Sequence, residues 1–180
     1  MLTFSDNIIH GNYQACLNLE GILMRKKIIN SDDKQKVNSD QKWLDIEKIA
    51  VVEVTSEEEA FPIESALLPG KISEWRASGQ GKQIIRLLFD NPQKLHWIRL
   101  KFEELELERT QEYVLRWSSD GGESYHEIIR QQWNFSPEGA SSEIEDYQVE
   151  LPAVTILELS INPDISERNA FASLKELRLA

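Results

Sequence analysis

The stretch Tyr113-Val114-Leu115-Arg116-Trp117-Ser118-Ser119-Asp120-Gly121-Gly122-Glu123-Ser124-Tyr125 decides the fold class. It alternates apolar Tyr113, Leu115 and Trp117 with side chains suited to water, reaches an Asp-Gly pair, and resumes with an aromatic. Asp-Gly tolerates the positive φ angles of tight hairpin turns, so the segment predicts two antiparallel strands of an all-β domain. Working outward, Ile49-Ala50-Val51-Val52-Glu53-Val54 is rich in β-branched residues, and Gln83 to Phe89 is a mostly apolar run ended by Asp90-Asn91-Pro92. From Leu95 to Phe102, alternation puts Ile98, Leu100 and Phe102 on one face and Arg99, Lys101 and Glu103 on the other. Val154 to Ile161 and Leu174 to Leu179 supply two further strands. Many short strands without regularly spaced amphipathic helices predict an antiparallel β-sandwich rather than a parallel βαβ sheet. No internal repeat at a solenoid period is visible.

The chain has 180 residues, enough for a domain that buries roughly 70% of the surface its unfolded form exposes. A hydrophobic fraction of 41% and a charged fraction of 28% describe a globular protein with a well-solvated surface. The net charge of −11, with basic residues scattered apart from Arg25-Lys26-Lys27, opposes nucleic acid and anionic membranes as partners. No apolar stretch is long enough to cross a bilayer. The lone Cys16 and a start that lacks the pattern of a secretion signal lead to the expectation of a cytoplasmic protein. Ala15 to Met24 reads equally as one short helix or as a pair of strands. Ser31 to Lys42 is almost entirely polar and reads as a loop, the best internal boundary. The expected organisation is an N-terminal extension over residues 1–48, with its polar loop at 31–42, and a binding domain over 49–180.

Taken in order, these pieces resemble the galactose-binding-like jelly roll of discoidin and coagulation-factor type C domains and of related carbohydrate-binding modules. The resemblance rests on Ser65-Ala66-Leu67-Leu68-Pro69-Gly70 leading to Trp75-Arg76-Ala77, and on the strand pair around Asn91-Pro92. It rests further on the Ser118-Ser119-Asp120-Gly121 turn with Tyr125 beyond it, and on Asn169-Ala170-Phe171-Ala172-Ser173-Leu174-Lys175-Glu176-Leu177 as the turn into the closing strand. It covers residues 49–180. Many members of that family hold a structural calcium with backbone carbonyls and an Asp of the early loop plus an acidic residue of the last strand. Here Leu67, Leu68 and Pro69 stand where the Asp is expected, while Glu176 remains as the metal-ligand candidate. Calcium takes about six to eight oxygens, so the missing carboxylate argues for no cofactor, with a weakened calcium site as the alternative.

Reaction chemistry is scarce. His10, His96 and His126 are far apart and lack metal or nucleophile spacing, also with respect to Cys16. Glu103-Glu104-Leu105-Glu106-Leu107-Glu108 reads as the solvated edge of a strand rather than an acid/base pair, since alternate strand residues lie side by side. Glu57-Glu58-Glu59 reads as a loop, and Ser78-Gly79-Gln80-Gly81-Lys82 as a turn without the full phosphate-loop pattern. Of the five tryptophans, Trp97 and Trp117 lie in alternating strands and are expected in the core, with Trp75 as a further core candidate. Gln131-Gln132-Trp133-Asn134-Phe135-Ser136-Pro137-Glu138-Gly139 reads as a loop whose aromatics stand beside amides. Such a loop either stacks on a sugar or pins itself to the sandwich.

The expectation is therefore a non-catalytic binding module that recognises carbohydrate through its end loops. Trp133, Asn134 and Phe135 are the leading ligand-binding candidates, with Arg76 and His96 as further candidates because they flank the loops that resemble the family's. The alternative is an intracellular protein-interaction or assembly module of the same fold. A concave loop end with exposed rings and amides would mark the first, and a flat apolar patch the second.

Overall fold

The structure is a computed structural model that describes residues 42–180 except Glu167. The ambiguous Ala15–Met24 segment, His10, Cys16 and the polar loop up to residue 41 lie outside the described residues. Eight strands follow in order: β1 (Ala50–Val54), β2 (Trp75–Gln80), β3 (Gln83–Glu103), β4 (Arg109–Ser118), β5 (His126–Phe135), β6 (Ser142–Asn162), β7 (Phe171–Leu174) and β8 (Glu176–Leu179). Helix among the described residues is confined to one turn, α1 (Glu64–Leu67), and a 3-10 turn at Ile46–Lys48. The larger sheet has the order β1-β3-β6-β4-β5 with β8 also on β3, and β2 pairs with β7. Every pairing is antiparallel. This is the all-β sandwich that the hairpin sequence predicts.

Two long strands make the layers. The segments expected on either side of Asn91-Pro92 are one strand, β3, which pairs along most of its 21 residues with the 21-residue β6. Its first part, to Phe89, lies between β1 and the end of β6, while its last part lies between β8 and the beginning of β6. The register shifts between Leu88 and Trp97, opposite Pro152. Proline has no ladder donor, so Pro92 and Pro152 open the pairing where both strands leave one layer for the other. The inner faces close on each other through Ile85, Leu87, Leu115 and Leu159 from one layer and Leu100, Phe102 and Leu177 from the other. Phe102 stacks on Tyr113 at 5.1 Å between ring centroids, and the Tyr113 and Tyr147 hydroxyls bond across the layers. Trp43, beneath the Arg99 guanidinium at 5.3 Å, and buried Ile46 extend this packing ahead of Ile49.

The hairpin forms as read. Asp120 accepts hydrogen bonds from Ser118 Oγ at 2.6 Å and from the Ser124 amide at 3.0 Å, which hold its carboxyl well below the usual aspartate range. Gly122 takes φ +95°, and a Cβ there would stand 3.2 Å from both the Ile156 Cδ1 and the Tyr125 hydroxyl. Trp75 is fully buried and Trp117 packs on the core. Trp97 departs from expectation: Ile98 takes the inward position, so alternation leaves Trp97 half-buried on the face of Arg99.

On the outer face, one row of charges crosses four strands. Glu158 on β6 is 1% exposed and lies between Arg86 of β3, at 2.8 Å, and Arg116 of β4. Arg86 also reaches Glu53 of β1 at 3.6 Å. Burial raises the Glu158 pKa, but the bonds from Arg116 and Arg86 outweigh it and bring the carboxyl below the ordinary value of 4.5. A lowered carboxyl pKa stabilises the fold above the unfolded value, and that contribution disappears as pH falls through the folded one. Glu158→Gln is expected to cost about 1.5–3 kcal/mol at pH 7, as for hydrogen bonds to charged groups. Urea melts from pH 7 to pH 3 should show the gap between wild type and variant closing toward acid; a gap constant with pH would refute the assignment.

Candidate functional site

At one end of the sandwich the chain leaves a cleft of about 540 Å³. Its walls come from the segment after β1, the start of β2, the β3–β4 loop and the approach to β7. Backbone bonds fix the first wall: the Glu58 amide donates to the Arg76 carbonyl at 2.9 Å, and the Arg76 amide to the Phe61 carbonyl at 3.1 Å. Glu57 accepts from the Ile63 amide at 3.0 Å, which seats α1 immediately behind Phe61. The β3–β4 loop bends because Glu104 Oε1 accepts from the amides of Glu106 and Leu107 at 2.9 and 3.0 Å. Glu103 ends β3, and Glu104-Leu105-Glu106-Leu107-Glu108 is the loop after it, not a continuing strand edge as the alternation suggests. The side chain's claim on its own backbone competes with the ladder.

The cleft floor is polar and tightly paired. Arg109 is buried, meets Glu104 at 2.7 Å, and donates Nη1 hydrogen bonds to the carbonyls of Pro163 and Phe171 at 3.2 and 2.8 Å. Burial pulls the Arg109 pKa down, opposed by Glu104, Asp164 and Glu74. Lys175 donates to the Ile72 carbonyl at 2.9 Å and pairs with Glu103 at 3.1 Å. Bonds from Lys101 and Lys175 bring the Glu103 carboxyl below its usual range. Arg76 pairs with Glu74 at 3.1 Å while its guanidinium lies 4.8 Å from the Phe61 ring centroid. Apolar surface surrounds these groups: Phe171 is 39% exposed, Leu105 69% and Leu107 49%.

The residues expected to bind ligand are dispersed by the structure. Arg76 lines the cleft. His96 lies at the other end of the second half of β3, beside Ala180, and faces Glu150 at 3.2 Å. Gln131 to Phe135 is not a loop but the end of β5, paired with β4 from Gln111 opposite Trp133 to Arg109 opposite Phe135. Phe135 is 3% exposed, Trp133 packs on the core with its indole nitrogen buried, and Asn134 accepts from Thr110 Oγ1 at 2.6 Å. The amides between the two rings obscure the alternation that makes this a strand. Glu58, Phe61 and Phe171 are the cleft residues that sequence reasoning passed over; only the convergence of three distant loops reveals them. Trp133→Ala is expected to cost about 3 kcal/mol of stability, the lower range for a truncated core aromatic. Denaturant melts check this, and an unchanged midpoint would restore Trp133 as a surface ring.

The early loop does not suit calcium. The carbonyl oxygens of Ala66 and Leu68 accept hydrogen bonds from Arg178 Nη1 and Nη2 at 3.0 and 2.9 Å. Glu176 stands 3.7 Å from the same guanidinium. A cation brought beside it would meet repulsion of about 4 kcal/mol per unit charge at 4 Å in a surface-like dielectric. Among the described residues no group of three His, Cys, Asp or Glu side chains gathers to supply further ligands. Arg178 thus supplies donors to the carbonyls of the early loop. Arg178→Met should therefore lower stability by about 1.5–3 kcal/mol, the range for hydrogen bonds to a charged group. Melting of the wild type should not respond to calcium or to a chelator, and a rise with calcium would overturn the reading.

No protein-family profile matches the chain, and no curated protein does. Solved structures do. A family 32 carbohydrate-binding module from Clostridium perfringens, in complex with GalNAc-β-1,3-galactose, superposes with a TM-score of 0.58 at 17% identity, over 77% of this chain and 99% of that one. The family 32 module of AlyQ, in complex with 4,5-unsaturated mannuronic acid, gives 0.56 at 17%, over 78% and 98%. The family 32 module of NanJ from C. perfringens, in complex with galactose, gives 0.55 at 17%, over 76% and 96%. The chain has the galactose-binding-like jelly-roll fold of these modules, as its motifs suggested.

Proposed function

We propose that this protein is a non-catalytic carbohydrate-binding module and that the end cleft seats the glycan. The observation that carries the reading is Phe171, a partly exposed ring on the rim of a polar cleft. A pyranose presents C–H groups on one face and hydroxyls at its edges, so such a ring receives the first and flanking carboxylates the second. The sugars held by the modules of similar fold support the same reading. A hydrolytic role finds no support, because the Glu103 and Glu104 carboxylates are committed to Lys175 and Arg109. Among the described residues no histidine or cysteine lines the cleft to activate a nucleophile.

A protein-interaction role is the second reading, favoured by the exposed aliphatic side chains Leu105 and Leu107 at the same rim. Phe171→Ala separates the two. Glycan binding, measured by titration calorimetry on hits from a glycan array, should weaken by roughly 1–3 kcal/mol, as for other aromatic stacking platforms. The melting midpoint should change little. Unaltered glycan affinity in this variant would remove the cleft from consideration.

A further inference from the structure

The cations of the cleft are all ion-paired, and the charges left without a partner among the described residues are negative. Arg76, Arg109 and Lys175 are the basic side chains that line it, and each meets its own carboxylate there: Glu74, Glu104 and Glu103. Arg109 and Lys175 spend further donors on backbone carbonyls. Glu58 and Glu106 also line the cleft, and neither has an ion-pair partner among the described residues. The cleft therefore holds five carboxylates against three cations, within a chain whose net charge is −11.

Charge discrimination follows from these pairings. A sugar carboxylate or sulfate at Arg76 or Lys175 would have to share the cation with the glutamate already paired to it in the same confined space. The incoming anion would still face Glu58 and Glu106, which line the same cleft, and salt leaves repulsion within the Debye length of about 8 Å only partly screened. Hydroxyl and ammonium groups meet the opposite situation. They donate, and two carboxylates with open acceptor positions await them.

We infer that the cleft selects glycans that present hydroxyl or amino donors and rejects uronates, sialosides and sulfated sugars, with Glu58 and Glu106 as the specificity-determining residues. This inference rests on the carbohydrate reading of the cleft. It sets the protein apart from the similarly folded AlyQ module, which holds an unsaturated mannuronic acid.

The test is a glycan array that carries neutral, amino, uronate, sialylated and sulfated sugars, probed with the full chain. Calorimetry follows on the strongest neutral hit and on an oligouronate of matching length, at 20 mM and 200 mM salt. The neutral sugar should bind at least tenfold more tightly at low salt, with the gap narrowing at high salt. Glu58→Gln combined with Glu106→Gln should also narrow the gap at low salt without altering the melting midpoint. An acidic glycan as the strongest hit overturns the inference and leaves the carbohydrate reading standing. A double variant that keeps the full discrimination overturns the assignment to these two residues. Silence across the whole array removes the carbohydrate reading, and this inference with it.

Discussion

The pairing of β3 with β6 is the constraint on which the rest of the structure depends. Both strands are 21 residues long, each contributes to both layers, and β1, β8 and β4 pair directly with one of them, while β5 is held through β4. Inward-facing side chains must alternate without error through the bend, because a slip of one residue would turn the Leu87 and Leu100 rows toward solvent. The prolines at 92 and 152 localise the irregularity to the crossing, so the ladders on either side keep their register. The Arg86–Glu158–Arg116 row then cross-links the strands of one layer from outside. A buried carboxylate between two fixed guanidinium groups is satisfied in one register only, which reinforces the choice already made by the core.

With that frame fixed, the cleft is assembled from segments that carry little regular structure of their own. The Glu58–Phe61 turn is tied to β2 by two backbone bonds, and the β3–β4 loop closes on the Glu104 carboxylate. Arg109 joins that loop to the approach to β7 by donating to the Pro163 and Phe171 carbonyls. Phe171 is therefore held at the strand start whose carbonyl a buried arginine clamps. A ring fixed in this way loses little conformational freedom when a ligand stacks on it, which favours affinity per unit of contact area.

The strands were legible because their signals are local. Alternation from Ile98 to Phe102 and the Asp120-Gly121 turn need only neighbouring residues to be read, and both stand where they were expected. The candidate site was legible only in part, because its residues meet across long separations. Arg76 follows a recognisable loop, at the start of β2, and lines the cleft. Phe171 was read as part of the closing turn, with nothing local to mark it as exposed. The Trp133–Phe135 segment failed for the converse reason: polar Gln131, Gln132 and Asn134 resemble loop chemistry, yet the backbone ladder to β4 overrides composition. Ion pairs such as Arg109–Glu104 have no sequence signature that separates them from solvated charges.

Arg178 shows how a missing ligand in one place and a charge in another form a single solution. With Leu67, Leu68 and Pro69 in the early loop, no carboxylate is present to recruit a divalent ion, yet the carbonyls of that loop still need donors. The guanidinium of β8 supplies them at 3.0 and 2.9 Å, and its neighbour Glu176 lies 3.7 Å away to balance the charge. A covalently attached cation does not dissociate, so the early loop is held at any calcium concentration. The same contact secures α1, whose N-cap residue Ile63 donates its amide to Glu57 beside the cleft wall. The closing strand thus braces the wall that carries Glu58 and Phe61. Arg178 and the Glu57 carboxylate thus hold α1 from opposite sides, one through the Ala66 carbonyl and the other through the Ile63 amide.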